Sequence, residues 1–163
     1  MRVEAGGRYG TPMPDEHYQQ PGWFTRNVFN RTVALATRLG VSVWGSRILQ
    51  VRGRTTGNVR ETPVNLLTHE GQTYLVAARG TTQWVRNLRV AGDGGLRLGR
   101  HTQQFRAREL ADDAKPEILR AYLRRWKLEV GVFFDGVDAK SDDVDLLRVA
   151  PDHPVFLVTT IDE

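Results

Sequence analysis

The chain has 163 residues, 40% hydrophobic and 26% charged, a balance that suits one soluble globular domain able to bury its own core. It has no cysteine, which removes disulfides, thiolate metal sites, iron–sulfur clusters and a cysteine nucleophile. The net charge is only +4, but between residues 17 and 108 fourteen arginines face three acids (Glu61, Glu70 and Asp93) and no lysine, whereas thirteen acids follow Arg108. A positive half of this kind points to an anionic partner: nucleic acid, an anionic membrane surface or a polyanionic small molecule.

Residues 1–22 are polar, with Gly6-Gly7 and prolines at 12, 14 and 21, and read as a flexible lead-in to a single domain over 23–163. No apolar run reaches the length of a membrane span, and the N-terminus lacks the apolar core of a signal peptide, so a cytoplasmic protein is expected. Residues 23–39 read as an amphipathic helix stopped by Gly40, with Phe24, Val28, Leu35 and Leu39 on one face and arginines off it. Such a helix packs on a sheet, caps a pocket, or makes peripheral contact with a membrane surface.

A short strand over 48–52 leads into Gly53-Arg54-Thr55-Thr56-Gly57-Asn58-Val59-Arg60. This turn is either a hairpin using Gly57-Asn58 for left-handed positions or a concavity of N–H and hydroxyl groups, clamped by arginines around an anion. Strands are expected over 62–69 and 72–78, joined by the Glu70-Gly71 turn, with Pro63 tolerated only at an edge or first position. Residues 81–91 have helical spacing, with Trp84 and Asn87 on one face. Gly94-Gly95 is expected to open a second hairpin, 96–98 with 101–110, whose Arg106 and Arg108 alternate with Phe105 and Ala107. Pro116 starts the longest helix, expected over 118–134 and interrupted at Gly131. An acidic loop over 135–145 and an apolar strand over 155–161 complete the chain. Strands in hairpins between helices make an α+β protein with an antiparallel barrel, not a βαβ repeat.

The four histidines have no ligand spacing, so no metal is expected. No lysine follows Gly57 to make a Walker loop, and no Gly-x-Ser-x-Gly elbow exists. The turn at 53–60 offers an anion site, and Trp84 with Asn87 offers a flat face with an amide, together the outline of a nucleotide-like or flavin-like cofactor site.

Three ordered elements carry a resemblance: Gly53-Arg54-Thr55-Thr56-Gly57-Asn58-Val59-Arg60-Glu61-Thr62-Pro63-Val64, then Tyr74-Leu75-Val76-Ala77-Ala78-Arg79-Gly80, then Trp84-x-x-Asn87-Leu88. The chain resembles the deazaflavin (F420)-dependent nitroreductase family. The resemblance implies a split β-barrel related to flavin reductases and pyridoxamine oxidases, with antiparallel strands and flanking helices. It implies phosphate contacts from Arg54, Thr55, Thr56 and Arg60, with Gly57, Glu61 and Thr62 in the same cofactor-binding run. It implies ring contacts from Pro63, Val64 and Asn65, from Val76, Ala77, Ala78 and Arg79, and from Gln83, Trp84, Val85, Arg86 and Asn87. Trp126, Phe133 and Phe134 would take the place of tyrosines over the ring, and Phe24 would cover the substrate pocket. The expected function is hydride transfer from reduced coenzyme F420 to a small electron-poor acceptor, such as a quinone, an enone or a nitro compound. Alternatives are an FMN-binding reductase on the same barrel, or a non-catalytic module binding nucleic acid, a membrane or another anion through the basic half. No nucleic acid is expected as partner, because few aromatics fall on the sheet faces that single strands stack against. Monomer and dimer are both open.

Overall fold

The structure is a computed structural model, and it describes residues 45–161. The lead-in, the helix expected over 23–39 and Phe24 lie outside the described residues. Six antiparallel strands form a closed barrel: β1 (Ser46–Arg52), β2 (Val59–His69), β3 (Gln72–Val76), β4 (Asp93–Leu98), β5 (His101–Glu109) and β6 (Val155–Thr160). Around the barrel the order is β1-β2-β3-β6-β5-β4, and the β1–β4 pair closes it. Helix α1 (Gln83–Ala91) follows β3, α2 (Pro116–Val130) follows β5, and α3 (Asp143–Val149) precedes β6.

The period of two along each strand divides the apolar residues between two cores. Leu75, Phe156, Val158 and Phe105 point inward, where Leu49, Val51 and Leu96 join them. Val85 and Leu88 of α1 belong to the same cluster, so α1 packs directly on this interior. The alternate residues Tyr74, Val76 and Val155 point outward and are covered by Leu119, Tyr122, Leu123 and Trp126 of α2. Burying each such leucine contributes about 1.5–3 kcal/mol, so the outer face of β3 and β6 depends on α2. Arg106 and Arg108 face solvent as their alternation predicts.

Several boundaries differ from the sequence reading. Gly94 and Gly95 lie inside β4, which starts at Asp93 and not at Leu96. A Cβ on Gly94 would stand 2.7 Å from the Gln50 carbonyl oxygen and 3.1 Å from the Phe105 ring, so glycine permits close approach of β1 and β4 over that ring. Pro63 lies within β2 opposite Ile48, but β3 pairs with β2 only from Leu66 onward. Its missing N–H therefore falls where β2 has a single neighbour, as an edge position requires. Helix α2 ends at Val130, and its non-helical residue is Trp126 (φ −123°, ψ 26°), not Gly131. The acidic stretch after Phe134 contains α3, capped by Asp142, whose carboxylate accepts from the Asp145 N–H at 2.9 Å. The acids read as a solvated loop are in part a helix start, where carboxylates satisfy free N–H groups. Among the described residues, no helix is long and apolar enough to cross a membrane.

Candidate active-site cleft

The link between β1 and β2 is held by its own backbone. Gly53 N–H donates to the Asn58 carbonyl and Gly57 N–H to the Gly53 carbonyl, both at 2.8 Å. Asn58 N–H reaches the Thr56 hydroxyl at 3.3 Å. Gly57 is left-handed (φ 74°), and Asn58, expected to share that conformation, is not. The turn is thus a hairpin connection, and its side chains also form the rim of a cleft.

That cleft has a volume of about 430 Å³ and lies between the turn and α1. It is lined by Arg54, Thr55, Thr56, Arg60, Glu61 and Thr62 from the first segment, and by Gln83, Trp84 and Asn87 from α1. Two segments separated by some twenty residues in sequence thus meet in one place. Gly53, Leu49 and Val51 also line it. Leu49 and Val51 were missed in sequence. Their alternation along β1 was the available signal, since residues two apart share a strand face.

A set of hydrogen bonds ties the turn to the helix. Asn87, only 5% exposed, accepts through Oδ1 from the Arg54 backbone N–H at 3.2 Å and from Arg54 Nη1 at 2.9 Å. Gln83 Oε1 accepts from the same Nη1 at 2.9 Å. Trp84 is held by a tilted contact with Phe156, ring centroids 5.9 Å apart. Glu61, the acid in the lining, accepts from Gln50 Nε2 at 2.8 Å and from Arg97 at 3.0 Å. Its charge is therefore matched by an arginine from β4, and the cleft keeps the positive charge of Arg54 and Arg60. This donor set of guanidinium and hydroxyl groups suits a phosphate-bearing ligand, and the apolar floor with Trp84 suits a flat ring.

The remaining expected residues divide by position. Gly57 shapes the turn without lining the cleft. Pro63, Val64 and Asn65 are half-buried along β2 beyond the cleft. Val76 is part of the outer core and Ala77 of the barrel interior, where its N–H donates to the Pro154 carbonyl at 2.9 Å. Ala78 packs against the outer core, and the Arg79 guanidinium sits 5.5 Å above the Phe133 ring. Val85 is fully buried and Arg86 half-buried. Phe133 thus comes beside the segment that follows β3. Trp126 and Phe134 do not line the cleft: at 1% and 0% exposure they belong to the core under α2, where Tyr122 contacts both rings. Their helical spacing marked apolar residues without showing which face they cover.

The histidines, scattered in sequence, include one that folding brings to carboxylates. His69, Glu70 and Glu117 place donor atoms within 4.8 Å of one another. His69 Nε2 and Glu117 Oε1, 3.2 Å apart, link the β2–β3 hairpin to the first turn of α2.

A closed antiparallel barrel thus carries an arginine- and hydroxyl-rimmed cleft beside Trp84. The chain belongs to the F420H(2)-dependent quinone reductase family, which it matches over residues 23–138. The family implies F420-dependent reductase chemistry, with coenzyme F420 as cofactor. No curated protein matches the chain. Among solved structures, it is similar to the protein Atu2129 of unknown function from Agrobacterium tumefaciens, at 15% identity and a TM-score of 0.51, over 83% of this chain and 56% of that one. The chain therefore spans little more than half of that relative. A structure described as a domain-swapped dimer is similar at 19% identity and a TM-score of 0.50, over 83% of this chain and 97% of that one. HutZ, a heme storage protein from Vibrio cholerae, is similar at 9% identity and a TM-score of 0.50, over 74% of this chain and 84% of that one. At these identities the likeness concerns the fold.

Proposed function

We propose that this chain binds reduced coenzyme F420 in the cleft between the β1–β2 turn and α1 and reduces an electron-poor conjugated acceptor, a quinone first, with enones and nitro compounds as the wider class. The observation that supports this reading is the cleft itself, which joins two arginines and two threonine hydroxyls to an aromatic wall. When bound, the reduced deazaflavin supplies the hydride. Arg54 and Arg60, with the Thr55 and Thr56 hydroxyls, hold the phosphate end by charge-assisted hydrogen bonds. Trp84 offers its indole face to the ring, and its contact with Phe156 fixes the angle of that face. Leu49 and Val51 keep water from the floor, which strengthens every polar contact above it. The bonds that Arg54 donates to Asn87 and Gln83 hold the two halves of the cleft at a fixed spacing, which would fix the orientation of a bound ring.

The test is a titration of the protein with coenzyme F420, followed by fluorescence quenching, with FMN as comparator. Saturable quenching by F420 and turnover of a soluble quinone with F420H2 are expected. No saturation with F420, or tighter binding of FMN, refutes the assignment.

A further inference from the structure

Five arginines of the described chain each meet a carboxylate within ion-pair distance: Arg52 with Asp93, Arg89 with Glu109, Arg97 with Glu61, Arg120 with Asp143 and Arg148 with Asp135. Arg54 is held differently. Its Nη1 donates to two side-chain amide oxygens, Gln83 Oε1 and Asn87 Oδ1, each at 2.9 Å. Among the described residues no carboxylate lies within ion-pair distance of it. An amide oxygen and a carboxylate oxygen accept the same hydrogen bond, but only the carboxylate cancels the cation's charge.

The position of Gln83 sharpens the contrast. It is the first residue of α1, where a carboxylate would be favoured by the free N–H groups and the helix dipole. Yet the first turn of α1 contains no acid. A glutamate there would reach Arg54 as well as glutamine does and would suit the helix better. Asn87, one turn further on, is buried and accepts twice from the same arginine.

We infer that Gln83 and Asn87 are positioning residues that orient Arg54 through neutral oxygens, so that its whole positive charge is directed at a phosphate-type anion in the cleft. The inference rests on the reading above for the identity of that anion, but not for its charge. The neutrality of the two amides then matters as much as their hydrogen bonds. A purely structural role for the exposed Gln83 would be met equally by its carboxylate isostere.

The experiment compares the wild type with Gln83→Glu and Asn87→Asp. Three quantities are measured: the thermal midpoint, the Kd for coenzyme F420 by fluorescence quenching, and the Kd for inorganic pyrophosphate by calorimetry, at two salt concentrations. Gln83→Glu is expected to melt at or above the wild-type temperature and to bind both anions roughly tenfold or more weakly, the scale of one charge-assisted hydrogen bond. Its binding should also depend less steeply on salt, because the site carries less net charge. Lowering the pH until the new glutamate is protonated should close the gap to the wild type. Gln83 is exposed, so Gln83→Glu carries the test even if the buried Asn87→Asp fails to fold. Equal pyrophosphate affinity in Gln83→Glu and the wild type overturns the inference. Wild-type protein that binds pyrophosphate in the expected pattern but not F420 overturns the cofactor reading alone. Wild-type protein that binds neither overturns both.

Discussion

Replacing Arg54 and Arg60 together by alanine tests the cleft most directly, and the structure separates the two contributions. Arg60 lines the cleft and is exposed, so Arg60→Ala should cost affinity and almost no stability. Arg54 has a second function. Its Nη1 satisfies the buried Asn87 Oδ1, which in Arg54→Ala keeps only the longer bond from the backbone N–H at 3.2 Å. Loss of that partner should lower stability by up to about 1 kcal/mol, the net value of an ordinary hydrogen bond. For binding, each charge-assisted contact to phosphate is worth roughly 1.5–3 kcal/mol. The double variant should therefore lose about 3–6 kcal/mol, or roughly two to four decades in Kd. Fluorescence-quenching titrations with coenzyme F420 at one fixed ionic strength measure this, with circular dichroism to confirm folding. An unchanged Kd in a folded double variant would refute the placement of the phosphate end at this turn. A loss equal to that of Arg54→Ala alone would show that Arg60 faces the cleft without touching the ligand.

Two further outcomes follow from the fold. Gly94→Ala should destabilise the protein by about 1–3 kcal/mol, since the new Cβ meets the Gln50 carbonyl and the buried Phe105 ring, neither of which can turn away. Urea denaturation measures it, and a gain in stability, the usual result of relieving glycine's unfolded-state entropy, would show that the β1–β4 contact relaxes freely. Tyr74, 7% exposed, has its phenol held above the ordinary value of 10.0, first by burial and then by the charge of Glu70, with Arg108 opposing and Glu117 adding to the rise. A group with a raised folded-state pKa contributes stability that is whole below its unfolded pKa and is lost as the pH rises through the folded one. Alkaline unfolding should therefore begin above pH 10 and be delayed in Tyr74→Phe, and an identical alkaline transition in that variant would exclude Tyr74 as its cause.

The turn from Gly53 to Arg60 was legible from sequence because its geometry is set locally. Glycine supplies the left-handed position, and the threonines and arginines stay exposed. The apolar stripe of α2 and the alternation along β5 were legible for a similar reason, since period alone separates a buried face from a wet one. Periodicity was silent on which apolar surface each face meets. By spacing alone Trp126 and Phe134 suit cleft or core equally, and it is the packing of α2 over the outer face of β3 and β6 that puts them in the core. Gly94 and Gly95 fell outside the strand expected over 96–98 because the reason for them lies in another strand, in the Gln50 carbonyl that a side chain would strike. The same limit governed the cleft. Sequence supplied an anion-binding turn and an aromatic-amide helix as separate pieces. Only barrel closure brought Asn87 and Gln83 onto Arg54, because contacts between residues some thirty positions apart depend on how the whole sheet curves rather than on any local preference.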